Sequence, residues 1–362
     1  NYLRIKRGTE LGTEIRADGN ISLAAGNDLK ARAATIESKN GTASLSAGND
    51  ISLTAGRETA EDHYGIRYKS GGLLSAKTTA IRTDNETDTA ITSKVTGANV
   101  SIAAKRDASF TAADIAADHD VKIAAGRNVS VTSAENYSHT ENVKEVKKSG
   151  VFSSGGLGFT IGTQKTKTTH NSDALTQQGT NIAALSGSVS IAAGENAHIS
   201  SSNILAAKDA TIAAKETILD GKDNIYRESF TQESRTTGLT VSLSHGLLSL
   251  GQEIAAPLQR LGEVKDDRLK AVYAWKAGRL IHENFGKGQN PLKAASGFSL
   301  NLSLGTSKTY SRTESTSKEY VGSAIRAGGT TILEAAEHDL SVKGSRIEGR
   351  DVSLKAKGNV RL

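Results

Sequence analysis

Ile21-Ser22-Leu23-Ala24-Ala25-Gly26 returns as Val121-Lys122-Ile123-Ala124-Ala125-Gly126 and again as Val189-Ser190-Ile191-Ala192-Ala193-Gly194. Weaker copies stand at Ala43-Ser44-Leu45, Val100-Ser101-Ile102, Ala210-Thr211-Ile212, Thr330-Thr331-Ile332 and Val352-Ser353-Leu354. With the third residue as anchor the copies fall at 23, 45, 102, 123, 191, 212, 332 and 354, so a unit of 21 or 22 residues recurs with three interruptions. A second apolar run follows each anchor, as in Leu29 and Ala31 or Val129 and Val131, and Ile36, Ile115, Ile204 and Ile347 mark a third. Apolar residues alternate with small polar ones, and Gly, Asn and Asp separate the runs, which is the pattern of short one-sided strands joined by turns. Three strands per unit predict an all-β fold, one coil of a parallel β-helix for every 21–22 residues. Coils stack at about 4.8 Å, each burying what its neighbour cannot bury alone. An amphipathic helix fails because the apolar spacing is i, i+2. A leucine-rich repeat lacks its Leu/Asn consensus here, and no Gly-Gly-x-Gly-x-Asp calcium repeat occurs.

Such a core needs little bulk, and the composition has little. Of 362 residues only 36% are hydrophobic and 4% aromatic, with 36 Gly, 2 Pro and neither Cys nor Met. Missing Cys excludes a disulfide scaffold, a thiol enzyme and a Cys-ligated metal site. Mixed charges at 23% and regular aliphatics argue against disorder. No run approaches the roughly 18 apolar residues of a membrane helix. Without an initiating Met or signal peptide, the chain is expected to be a segment of a longer protein.

The interruptions are regular excursions from a single domain spanning 1–362. They leave after the second strand of every second coil, at about Gly56, Thr132 and Asp220, and return near Val95, Ile182 and Ile325, giving segments 57–95, 132–182 and 221–326. All leave through the same turn, two coils or roughly 10 Å apart, which is the distance at which sheets pack face to face. The expectation is three β-hairpins stacked as a second layer beside the rod. Tyr64-Gly65-Ile66-Arg67-Tyr68-Lys69 opens the first hairpin, and Val151-Phe152-Ser153-Ser154 with Phe159-Thr160-Ile161 forms the second. In the third, the arms Gly238–Leu243 and Gly297–Leu302 flank an insert, 251–293, whose apolar spacings of three and four predict a short α-helical element. Only Tyr2 and Phe110 among fifteen aromatics fall outside the excursions, and Gly221–Ala327 holds 15 basic and 10 acidic residues.

No chemistry converges on these residues. Asp28 and Asp50 occupy equivalent turns, followed on that register by Asn128, Asn196 and Asn359, which suits turn capping better than an acid/base pair or a calcium cage. The eight histidines are scattered without ligand spacing, and no Gly-x-Ser-x-Gly elbow presents a nucleophile. No enzyme, metal or cofactor is expected, and basic residues interspersed with Thr, Ala and acids do not predict nucleic-acid binding. The residues that remain for function are exposed ones on the excursions. Tyr64, Tyr68, Phe152, Phe159, Tyr273, Trp275, Lys276 and Arg279 are the candidate surface or membrane contacts. The insert has two readings, as a cover over the third hairpin or as an interfacial membrane element.

The units Ile21–Asp28, Val121–Asn128 and Val189–Asn196, together with glycine-rich excursions such as Ser149–Gly156, resemble the haemagglutinin repeats of filamentous-haemagglutinin-like exoproteins. The alternation of coils, hairpins and a helical insert is most similar to the C-terminal-proximal repeat region of contact-dependent growth inhibition exoproteins. That resemblance implies a filamentous, monomeric, right-handed parallel β-helix secreted to the bacterial surface through the periplasm and a β-barrel transporter of a two-partner system. It further implies association with a target-cell outer membrane or surface receptor during delivery of a C-terminal toxin. A host-cell adhesin, a haemolysin-type repeat and a carbohydrate-active β-helix enzyme are the alternatives. No Val-Glu-Asn-Asn boundary is found in this sequence.

Overall fold

The computed structural model describes residues 1–72, 75–155, 158–243 and 300–362; every regular element among them is a β-strand. The helical insert expected at 251–293, with Tyr273, Trp275, Lys276 and Arg279, lies outside the described residues. The described chain forms a parallel β-helix of three parallel sheets, each contributing one strand per coil. The sheet built on the anchor residues runs from Ile21–Ala25 through six further coils to Asp351–Ala356. A second sheet runs from Leu29–Arg32 to Val360–Arg361, and a third from Glu14–Ala17 to Arg346–Glu348. The excursions leave from the second sheet and come back into the third.

Each coil places like residue over like. In the third sheet Ile15, Ile36, Val95, Ile115, Ile182, Ile204, Ile325 and Ile347 are stacked in register. In the anchor sheet Leu23, Leu45, Ile102, Ile123, Ile191 and Ile212 do the same. The ladder then continues through Leu333 to Leu354, so the seventh anchor is Leu333 and not Ile332. The reason is strand parity: Thr331, Leu333 and Ala335 are buried while Ile332 points outward. Apolarity favoured Ile332, but the inward Thr331 has its own solution, donating its hydroxyl to the Glu348 carbonyl at 2.8 Å. Phe110 is fully buried between Leu53 and Val131 and is the one aromatic among the described rod residues.

The corner between the second and third sheets has two alternating forms. Where no hairpin is inserted it turns on a left-handed residue: Ala33 (φ 48°), Ala112 (φ 48°), Ser201 (φ 46°) and Gly344 (φ 53°). In the coils between them the same corner opens into a hairpin. The hairpin strands are Gly56–Gly72 with Ser75–Ile91, Ala134–Gly155 with Gly158–Gln178, and Glu216–Leu243 with Leu300–Gly322. Chain segments returning from the layer cross close to the left-handed corners. A Cβ on Gly12, Gly179 or Gly322 would come within 1.7, 2.2 or 1.8 Å of the carbonyl oxygen of Ala33, Ser201 or Gly344. The strand Glu216–Leu243 passes unbroken from the rod into the layer, pairing parallel with Asn196–Ser200 at its start and antiparallel with Gly158–Gln178 beyond.

The excursions do not stack face to face. They pair edge to edge: Ser75–Ile91 bonds to Ala134–Gly155, and Gly158–Gln178 bonds to Glu216–Leu243. The correction follows from the same spacing. A hairpin is two strands wide, about 9.6 Å, which equals the advance of two coils, so each hairpin fills the interval before the next and the hydrogen bonding is continuous. Tyr2–Thr9 adds a further strand, pairing antiparallel with Glu58–Gly65. Tyr2 therefore belongs to the layer rather than the rod, and the described residues of the layer form seven strands.

Candidate functional site

Along the hairpins of this layer the side chains are sorted by distance from the rod. Near the rod, acids and bases are mixed and paired. Arg7 bonds Asp62, Arg57 lies 3.7 Å from Asp88, and Lys6 meets Glu61 at 2.7 Å. His63 Nδ1 lies 2.9 Å from Asp84 and His139 Nδ1 lies 2.6 Å from Asp173, each across a hairpin. Alternation along a strand cannot show such cross-strand partners, so the histidines looked isolated in the sequence. The Tyr137 hydroxyl donates to the same Asp173 oxygen at 3.3 Å, and the described residues contain no group of three or more His, Asp or Glu able to hold a metal.

Further out the acids stop. Lys69, Lys147, Lys165, Arg235 and Lys308 form one row across the layer, with Thr78 between Lys69 and Lys147. Directly paired residues share a face, as do residues two apart along a strand. On the face of this row, two residues outward, lie Ser149, Thr163, Thr237 and Thr306, with the Thr237 and Thr306 hydroxyls 3.0 Å apart. Two residues beyond come Val151, Ile161, Leu239 and Leu304, and then Phe159, Val241 and Leu302. These tips are open to solvent: Ile161 is 47% exposed, Leu302 62% and Leu304 84%. Hydrophobic side chains on a strand normally leave water, so a contiguous exposed apolar tip calls for a partner.

Between the hydroxyl row and the first apolar row, on the opposite face, Gly150, Gly162, Gly238 and Gly305 stand side by side across four strands. Gly150 (φ 99°) and Gly238 (φ 151°) take backbone conformations that a side chain disfavours. A Cβ on Gly162 would lie 2.1 Å from the Thr237 carbonyl oxygen. A glycine line of this kind lets a sheet bend where its polar part gives way to its apolar part.

The structure divides the sequence candidates. Phe159 belongs to the apolar tip and is 41% exposed. Phe152 sits near it but on the other face, and Tyr64 and Tyr68 lie on that other face nearer the rod. Aliphatic residues supply most of the tip, which a search for aromatics passes over. The alternation Gly238-Leu239-Thr240-Val241 and Leu302-Ser303-Leu304 was the available signal.

The turn acids cap turns. The register of Asp28 and Asp50 also holds Asp107 and Asp339, which the repeat phrase hides because no Gly precedes either of them in the turn. Asp50 accepts the Asp107 N–H at 3.2 Å, Asp107 the Asn128 N–H at 3.2 Å, and Asp339 the Asn359 N–H at 2.7 Å. The Arg127 guanidinium beside Asp107, aided by the Asn128 amides, holds its carboxyl below the usual carboxylate range despite partial burial.

The sequence matches the family model for the hemagglutinin repeat over residues 4–72, 74–234 and 294–362. It is 32% identical over 376 residues to the 16S rRNA endonuclease CdiA of Enterobacter cloacae, covering 97% of this chain and 11% of that one. It is 32% identical over 369 residues to the tRNA nuclease CdiA of Escherichia coli strain STEC_O31, covering 98% and 11%. To the deoxyribonuclease CdiA of Dickeya dadantii it is 29% identical over 360 residues, covering 98% and 11%. The chain thus spans about a tenth of the length of these curated relatives. No solved structure matches it.

Proposed function

Because this chain belongs to the hemagglutinin-repeat family, we propose that it works as a non-enzymatic stalk segment of a large secreted surface exoprotein, with the hairpin layer as its working edge. In this reading the tips contact the outer membrane of a target cell and support delivery of a toxin carried elsewhere in the parent protein. A two-partner β-barrel transporter would export the parent through the periplasm, and the segment would act as a monomer. Relatives named for an rRNA endonuclease, a tRNA nuclease and a deoxyribonuclease match the same segment, which favours placing the nuclease outside it. Turn acids engaged in capping also favour a binding role.

One observation carries the membrane reading: the exposed apolar rows at the hairpin tips, from Val151 to Leu304. A spacer has no use for them. Replacing Val151, Phe159, Ile161, Leu302 and Leu304 by Thr keeps β-propensity while removing apolar surface. The expected result is unchanged circular dichroism and loss of co-flotation with phosphatidylcholine vesicles. Equal flotation of the variant would overturn the apolar-tip reading, and no flotation of the unmodified chain with either neutral or anionic vesicles would overturn the membrane reading and leave a plain stalk.

A further inference from the structure

The distal charge pattern is more specific than an apolar tip requires. Outward of the row Lys69, Lys147, Lys165, Arg235 and Lys308, no described residue of the hairpins is acidic, and Lys77 and Lys148 add cations one step further out. Acids resume inward of the row, with Glu145 and Glu233 two residues away on the same face. Glu145 reaches Lys165 at 2.9 Å, whereas Lys69, Lys147, Arg235 and Lys308 have no ion-pair partner among the described residues. All five side chains of the row are exposed. They sit about 13 Å below the Val151, Ile161, Leu239 and Leu304 row, at about 3.3 Å per residue over four residues. The hydroxyls of Thr163, Thr237 and Thr306 lie between.

Cations, then hydroxyls, then aliphatics along one face match the order headgroup phosphate, polar linkage, acyl chain in a bilayer leaflet. Like charges held in a row without carboxylate partners among the described residues repel one another, and an external anion relieves that repulsion. We propose that this row is a binding belt for the phosphate headgroups of an anionic leaflet, fixing how deeply the tips seat. It rests on the membrane reading above and names the lipid class which that reading leaves open.

The test compares phosphatidylcholine vesicles with vesicles doped with phosphatidylglycerol, at low and high salt, using the full chain. The unmodified chain should bind the doped vesicles more tightly, and salt should erase the difference. The triple variant Lys69→Gln, Lys147→Gln and Lys308→Gln should keep its affinity for neutral vesicles. It should lose about a hundredfold on doped ones, at about fivefold per cation. Equal binding of the unmodified chain to both vesicle types would overturn the belt while leaving the apolar tip reading intact. Loss of binding to both types by the triple variant, with circular dichroism unchanged, would also overturn it. Should the unmodified chain bind neither type, the membrane reading itself falls.

Discussion

Asp107 concentrates what a single residue does in this rod. Its carboxylate caps the next coil through the Asn128 backbone and side chain at 3.2 and 3.0 Å and pairs with Arg127. Its folded pKa lies below the unfolded value of about 4, so the pairing stabilises the protein above that pH and the gain is lost as pH falls through the folded value. Asp107→Asn keeps an acceptor for the amide and removes the charge. Denaturant melts should show it up to about 1 kcal/mol less stable at pH 7, because the Arg127 pair is only partly shielded from water. The difference should vanish in strong acid. The inward ladders were legible because alternation fixes which residues face the core. Residues whose role depends on the neighbouring coil were not. Thr111-Ala112-Ala113 carries no sign that Ala112 is left-handed, and Thr330-Thr331-Ile332 looks better with Ile332 inside until its parity with Ala210 and Ile212 is known.

At the scale of the hairpin, the sequence showed where each one leaves, which pieces are strands, and that all three emerge from one corner. It did not show how they meet, because their separation suits both a face-to-face stack and an edge-to-edge sheet. Backbone accounting decides between them: edge pairing satisfies the N–H and C=O groups of Ser75–Ile91 and Ala134–Gly155 against each other, and stacking would leave them to water. The candidate site was half legible for a related reason. Phe159 was found, but the face it shares with Ile161, Leu239 and Leu304 exists only once four strands are aligned. The glycine row gives a prediction at this scale. Gly162→Val brings a side chain onto the Thr237 carbonyl and should distort the outer hairpins at a cost of about 1–3 kcal/mol. Limited proteolysis should cut the tips faster, while hydrogen exchange of the coils stays the same.

For the whole molecule, stability is a sum of neighbouring coils. Core residues of the central coils, such as Val121 and Ile199, are fully buried, but Leu23 and Leu29 at one end and Ile347 and Leu354 at the other are only half-buried. A stack of this kind opens from its ends. Amide exchange should be slowest around Val100–Val131 and Ile182–Ile212 and fastest in the first and last coils, with the strand Glu216–Leu243 tying the layer to the slow region. Uniform protection along the rod would contradict the additive picture.

The equality between one hairpin's width and two coils' rise has an evolutionary consequence. A gene segment encoding two coils and one hairpin can be copied or deleted without breaking either set of hydrogen bonds, so the rod can change length in such steps. Loss of a single coil is different. It would bring two hairpin exits one strand's width too close, leaving one arm with no place in the sheet. Length variants of this fold should therefore differ by even numbers of coils, and a variant differing by one should also have lost or gained a strand.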